Sequence, residues 1–176
     1  MSKLVYKNKY INITEDNEIV LVENILGGSV ILPITESNDL ILIEIYRKTI
    51  NSISIEAPRG FSEEGETSLQ TAERELYEEL HCTCEELIFL GYLYPDTGLQ
   101  KAKIHLYLGI NAKIQDRYTQ LNEGIKKVKI LSFKEAYNMA MNGEICDAFT
   151  VAAIFRSLNY IGTIKVLGTG EKRKQN

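Results

Sequence analysis

The sequence predicts an α/β fold in which a mixed β-sheet is sandwiched by helices and is preceded by a β-rich N-terminal extension. Runs of aliphatic and β-branched residues, separated by short polar or glycine breaks, dominate the N-terminal third and are typical of strands. One long segment without proline or glycine then favours a helix, and further strands and two more helical segments follow it. With 176 residues the chain is long enough to bury a real hydrophobic core.

The predicted strands are segments that alternate or cluster β-forming residues. In chain order they are Lys3–Ile13, Glu18–Leu26, Ser29–Ile34, Leu40–Tyr46, Ile50–Glu56, Glu86–Tyr94, Lys103–Ile110 and Ile125–Leu131. The first two form a hairpin or meander, and Gly27-Gly28 separates them from the rest. Thr35–Asp39 and Pro95–Gly98 are predicted turns, and Ala57–Gly60 is predicted to turn the chain into a helix.

Three helices are predicted, and each has a recognisable boundary. They cover Thr67–Leu80, Phe133–Met141 and a last segment from Asp147 through Asn159. Ser132 and Glu135 form a capping box at the start of the second helix, and Gly143 ends it. Asp147 is a suitable cap for the last helix.

Composition limits the classes of function and divides the chain. We expect an extension over residues 1–26, a main folded domain over residues 27–165 and a flexible basic tail over residues 166–176. A net charge of −4 argues against broad binding of nucleic acids or anionic membranes. The N-terminus has no apolar signal segment, and no run approaches 18 apolar residues. The three cysteines have no second zinc-ligand pair, so free thiols in a reducing, cytoplasmic compartment are expected.

Glutamates are concentrated in the segment from Gly60 to Cys82. Glu75, Glu78 and Glu79 share one face of the predicted helix, where like charges repel by a few tenths of a kcal/mol for each pair. A solvated acidic face is the common explanation for such a run. However, at roughly 6–7% per residue type, six fixed positions of this pattern coincide about once in ten million windows. The cluster therefore predicts a cation site.

At these residues the chain resembles the Nudix hydrolases. Their box is Gly, five residues, Glu, seven residues, Arg-Glu, an aliphatic residue, any residue, Glu-Glu, any residue, Gly and an aliphatic residue. The matching residues are Gly60, Glu66, Arg74, Glu75, Leu76, Glu78, Glu79 and Cys82. His81 stands where the last glycine belongs, at a helix end that often needs a left-handed backbone. Histidine tolerates that backbone better than most residues, so a slightly costlier helix end is expected.

The resemblance implies a Nudix-type α/β/α sandwich that cleaves a nucleoside diphosphate linked to another group. Glu75 and Glu79 would bind Mg²⁺ or Mn²⁺, since carboxylates are the hard oxygen ligands that these ions prefer. Glu78 would add a ligand or bridge through water. The carbonyl of Arg59 matches a backbone metal ligand of relatives.

Three other box residues are expected to support this site rather than to react. Glu66 is expected to pair with Arg74 and so to position the helix, although a role as a metal ligand is the alternative. Gly60 is the glycine that opens the box.

Outside the box, the chain resembles the branch that hydrolyses ADP-ribose and related ADP compounds. Glu56-Ala-Pro-Arg-Gly60 is similar to the strand end that enters the box there, and Glu56 would face the nucleotide. Pro95, 13 residues beyond Cys82, either marks the substrate pocket or merely starts a turn. Arg47 matches an arginine that contacts substrate phosphate, with a solvent-exposed strand end as the alternative. The segment from Gly143 to Ile154 resembles the branch's C-terminal helix pair.

The catalytic base of this branch often comes from a mobile acidic loop. Glu123 is the favoured candidate here, and Asp116 is the other. One departure bears on the substrate: Gln100–Lys103 has no acidic residue where the branch often has one. Broader hydrolysis of dinucleotides or nucleotide sugars, including GDP-sugars, therefore stays open.

Two further expectations follow from the resemblance. A Nudix-fold sensor that binds nucleotides without turning them over is the alternative from another class, although such domains usually lose box glutamates and this chain keeps all three. The segment Lys3–Leu26 is where relatives build a dimer, so a homodimer is expected.

Overall fold

The computed structural model describes residues 2–115 and 124–161. The strands are β1 (Lys3–Lys7), β2 (Ile11–Asp16), β3 (Ile19–Asn24), β4 (Gly28–Pro33), β5 (Asp39–Arg47), β6 (Ser52–Glu56), β7 (Arg59–Phe61), β8 (Cys82–Thr83), β9 (Glu86–Leu93), β10 (Gln100–Lys101), β11 (Ile104–Ile110), β12 (Lys113–Ile114) and β13 (Ile125–Ser132). The helices are α1 (Ser68–Leu80), α2 (Phe133–Met141) and α3 (Ala148–Ile161). Among the described residues, no helix is long and apolar enough to span a membrane.

The centre of the molecule is a mixed sheet in the order β7-β4-β11-β9, next to a three-stranded sheet β13-β5-β6. Only the β4–β11 pair in these two sheets is parallel. All six residues of β4 are buried, as expected of a strand covered on both faces.

Two hydrophobic clusters occupy the two faces of this central sheet. Alternate residues of β4 point to opposite sides, so Val30 and Leu32 join one cluster and Ile31 joins the other. The first cluster includes residues of α2 and α3, whereas the second includes Ala72, Leu76 and Leu80 of α1. Helices therefore cover both faces, and the predicted α/β/α sandwich is confirmed.

The N-terminal residues build a separate sheet in the order β1-β2-β3-β10. The predicted meander is present, but Lys3–Ile13 is divided into two strands. Asn8 causes the break, because its side-chain oxygen accepts hydrogen bonds from the N–H groups of Tyr10 and Ile11. Large apolar side chains on β1 and β3 remain exposed in the single chain, among them Leu4, Val5, Tyr6, Ile19 and Val20.

The segment entering α1 differs from the sequence-based expectation. Residues 59 and 60 were predicted to lie in a turn, but Arg59–Phe61 forms β7 and pairs antiparallel with β4. Turn propensity at Pro58-Arg59-Gly60 is overridden because β4 would otherwise leave backbone groups unpaired in the interior. The prediction of a turn over Ala57–Gly60 is therefore wrong in its second half.

The ends of the helices follow the predicted chemistry. His81 closes α1 in the left-handed region, with φ of 45° and ψ of 39°, as expected at the position where the box has glycine. The side chain of Ser132 accepts a hydrogen bond from the Glu135 N–H at the start of α2. Thr67 and Gln70 form a capping box that starts α1, which the sequence analysis did not single out.

Candidate active site

Helix α1 presents two glutamates, one turn apart, to strand β7. The Arg59 N–H donates to Oε2 of Glu79 at 3.0 Å. A side chain at position 60 would collide with the carboxylate of Glu75, so glycine leaves the space that this carboxylate occupies. The first glycine of the box is therefore explained by space rather than by backbone conformation.

Arg74 forms ion pairs with three glutamates of the box, Glu66, Glu75 and Glu78. Its Nε and Nη2 bind the two carboxylate oxygens of Glu66 at 2.8 and 3.0 Å. Its Nη1 donates to Glu75 at 2.6 Å and to Glu78 at 3.0 Å, and Nη2 also donates to the Phe61 carbonyl at 2.8 Å. These contacts match the five N–H donors of a guanidinium. The predicted Glu66–Arg74 pair is present, and Arg74 lowers the pKa of Glu66 to about 2.

The pKa values of Glu75 and Glu79 are raised, whereas that of Glu66 is lowered. Burial, reinforced by the charge of Glu75, raises the pKa of Glu79 to about 7, although the Arg59 N–H acts in the opposite direction. Burial also raises the pKa of Glu75, against the effect of Arg74. Two partly desolvated carboxylates beside each other favour either a shared proton or a cation.

In the described residues, the predicted metal ligands do not form a complete coordination site. Within residues 2–115 and 124–161, no three His, Cys, Asp or Glu side chains converge as a metal site. Glu78 has a 54% exposed side chain, and Arg74 binds it together with Glu75. The donor chemistry still fits a hard divalent cation, because Glu75 and Glu79 offer carboxylate oxygens and their burial disfavours uncompensated negative charge.

A cleft of about 570 Å³ opens beside β7. Three of the residues predicted to bind substrate, Arg47, Arg59 and Pro95, line it together, and so do Gly60 and Phe61. The N-terminal sheet supplies another part of its wall through Ile11, Val22 and Asn24. The cleft thus joins the box to residues far from it in sequence.

Glu56 was expected to face the nucleotide, and the structure places it beneath two arginines. It is 1% exposed, and Arg47 binds both of its carboxylate oxygens at 2.6 to 3.2 Å. Arg59 Nη2 adds a bond of 2.8 Å. Burial alone would raise the pKa of Glu56, but Arg47 and Arg59 hold it below its usual value. Glu56 therefore orients the two cations at the cleft.

The start of helix α3 and the residue before it contribute side chains that the sequence analysis did not place in the site. Asp147, predicted only as a helix cap, lies 3.0 Å from Arg59 Nη1 as an ion pair, and it also accepts from the Thr150 N–H as a cap does. The ring of Phe149 lies 4.5 Å from the Arg59 guanidinium in a cation–π contact. No local pattern distinguishes these roles, since they depend on α3 meeting β7. Glu123 and Asp116, the candidate bases, lie outside the described residues.

The comparisons with known proteins agree with this geometry. The NUDIX domain model matches residues 26–148. The chain belongs to the Nudix family. The predicted Nudix pyrophosphohydrolase is therefore confirmed, as is the resemblance to the ADP-ribose pyrophosphatase branch.

Individual relatives cover most of this Nudix chain. An ADP-ribose pyrophosphatase of Bacillus subtilis (strain 168) is 27% identical over 73% of this chain and 70% of its own length. A methanol dehydrogenase activator of Bacillus methanolicus is 31% identical over 73% of this chain and 70% of its own length. The crystal structure of an ADP compounds hydrolase matches with a TM-score of 0.75, covering 95% of both chains at 18% identity, which shows the shared fold.

Proposed function

We propose that this Nudix chain hydrolyses the diphosphate bond of ADP-ribose-like compounds to AMP and a sugar phosphate. The observation that carries the proposal is a cleft lined by Arg47 and Arg59, where the backbone N–H of Arg59 binds the half-buried carboxylate of Glu79. Anionic phosphates and a cation would both be stabilised there. The 27% identical ADP-ribose pyrophosphatase supports this choice of substrate.

Mg²⁺ or Mn²⁺ is the proposed cofactor, held by Glu75, Glu79 and the Arg59 carbonyl, with Glu78 adding a ligand. Such an ion, when bound, neutralises phosphate oxygens and activates water. The protein holds these ligands in place: Arg74 binds Glu75 and Glu78, and the Arg59 N–H binds Glu79. Side chains that are already held in position need little rearrangement when charge develops during the reaction.

On the substrate side, Arg47 and Arg59 are proposed to bind the diphosphate oxygens. Glu56 holds both guanidinium groups in place, so less side-chain entropy is lost when substrate binds. Pro95 and the rings of Phe61 and Phe149 line the same cleft and offer apolar surface for the nucleoside. Glu123 remains the proposed catalytic base, with Asp116 as the alternative.

A second candidate is the hydrolysis of a wider set of dinucleotides and nucleotide sugars. Gln100 and Ala102 line the cleft, in the segment where the ADP-ribose branch often carries an acidic residue. A neutral wall there would discriminate less strictly against a second nucleoside.

A substrate panel tests both candidates. Purified protein with Mg²⁺ would be offered ADP-ribose, NADH, diadenosine triphosphate, GDP-mannose and ATP, with products resolved by chromatography. AMP formed from ADP-ribose at much the highest rate supports the first candidate, and comparable turnover of the dinucleotides supports the second. Nucleotide binding without turnover under Mg²⁺ or Mn²⁺ would favour a sensor instead.

Variants of α1 link any activity to the proposed site. Glu79→Gln should lower turnover by orders of magnitude while the protein stays folded. Glu73→Gln removes one charge from an exposed position of the same helix and should leave turnover nearly unchanged. Near-full activity of Glu79→Gln would refute the proposed metal site.

The assembly of the protein is also a proposal. We expect residues 1–26 to act as a dimerisation element on a catalytic domain of residues 27–165, with residues 166–176 as a basic tail. The exposed apolar side chains of β1 and β3 support a homodimer formed through this sheet. Light scattering at micromolar protein tests it, and a clean monomer would contradict it. All three cysteines lie in the described residues as free thiols, which supports a cytoplasmic location.

A further inference from the structure

The first turn of α3 is bonded to the end of β6. The Thr150 hydroxyl accepts a hydrogen bond of 2.8 Å from the Ala57 N–H and donates one of 2.7 Å to Asp147 Oδ2. The same carboxylate oxygen accepts from the Thr150 N–H at 2.9 Å. Thr150 and Ala57 are both 0% exposed, so solvent does not replace this contact.

Residues 57–59 are held from three directions. Thr150 of α3 binds the Ala57 N–H, and the Pro58 carbonyl accepts from the Ile31 N–H of β4 at 2.9 Å. The Arg59 N–H binds Glu79 of α1 at 3.0 Å. Because α3 and α1 pack on opposite faces of the central sheet, this short segment connects the two helical layers.

We propose that Thr150, oriented by Asp147, is a positioning residue for the Glu75–Glu79 site. Without its hydroxyl, the buried Ala57 N–H has no acceptor, and a rotation of the 57–59 backbone towards another partner would carry the Arg59 N–H away from Glu79. The Arg59 carbonyl, a proposed metal ligand, belongs to the same segment. Thr150 thus acts on the site through two residues of backbone and does not touch the substrate. This inference rests on the proposed function.

Two variants separate positioning from simple packing. Thr150→Val keeps the shape and removes the hydroxyl, whereas Thr150→Ser keeps the hydroxyl. Mn²⁺ affinity would be measured by electron paramagnetic resonance on protein without substrate, and kcat and KM would be measured with ADP-ribose. Thr150→Val should weaken Mn²⁺ binding and lower kcat, each by roughly 10- to 100-fold, as is typical for residues that orient ligands. KM should change little, and Thr150→Ser should recover most of both losses.

A folded Thr150→Val protein with a lower Tm but wild-type Mn²⁺ affinity and kcat would overturn the inference. Should that variant not fold, Thr150→Ala carries the same expectation, and failure of both to fold would show a structural role alone and overturn the inference. Wild-type protein that neither binds Mn²⁺ nor turns over any substrate would overturn the proposed function. An active wild type that is indifferent to Thr150→Val overturns only the positioning role.

Discussion

Metal-free Glu79→Gln protein should become increasingly more stable than the wild type as the pH rises from 5 to 8. Burial and the neighbouring charge of Glu75 raise the pKa of Glu79 from 4.5 to about 7. Between these two values the folded protein keeps a proton that the unfolded chain releases. The free energy of unfolding contributed by Glu79 is therefore fully present below pH 4.5, and it is lost as the pH rises through 7.

The size of the effect follows from the same two pKa values. At 1.36 kcal/mol per pKa unit, a rise from 4.5 to about 7 corresponds to roughly 3 kcal/mol at pH 8. Glutamine keeps an oxygen that accepts from the Arg59 N–H, so the substitution removes the charge and retains that bond. The backbone contact of β7 with α1 should survive.

Urea unfolding followed by circular dichroism, with EDTA present, measures this difference at pH 5, 6, 7 and 8. Glu73→Gln, at an exposed position of α1, controls for the loss of one negative charge. Because the Glu73 side chain is exposed, the stability of this variant should differ little from that of the wild type. If the free energies of unfolding of Glu79→Gln and of the wild type differ by the same amount at every pH from 5 to 8, then the explanation that burial and the charge of Glu75 raise the pKa of Glu79 is refuted.

Two further predictions concern backbone positions of the box. Gly60→Ala should abolish most activity, because the added methyl group occupies the space of the Glu75 carboxylate and displaces this proposed metal ligand; turnover and Mn²⁺ affinity are the measurements. His81→Val should lower the free energy of unfolding by about 1–2 kcal/mol, because a β-branched residue is strained at φ of 45°; urea unfolding at pH 7 measures it.

Matched variants test these two explanations. Gly98→Ala adds the same methyl group where its nearest neighbour, Asp96 Oδ1, is 3.4 Å away, so activity should be retained. His81→Asn places a residue that tolerates the left-handed region and should cost much less than His81→Val. Full activity of Gly60→Ala, or equal stability of the two variants at position 81, would contradict the corresponding explanation.

Much of the site could be predicted from sequence because its spacing is local. Glu75 and Glu79 are one helical turn apart, so the helix alone places them on one face. The Glu66–Arg74 pair and the left-handed end at His81 followed from the same box. The turn over Ala57–Gly60 was half wrong because pairing with β4, a long-range interaction, overrides the local preference of Arg59 and Gly60 for a turn.

The sequence by itself determined the family, the sandwich and the face of α1 that carries the glutamates, since these depend on short-range periodicity and on fixed residue spacings. Only the tertiary structure decided how each charge is compensated. Glu56 is buried under Arg47 and Arg59, and Asp147, which directly precedes α3 and is far from Arg59 in sequence, forms an ion pair with it. Burial and charge pairing arise where distant segments meet, so the raised pKa of Glu79 has no local sequence signal.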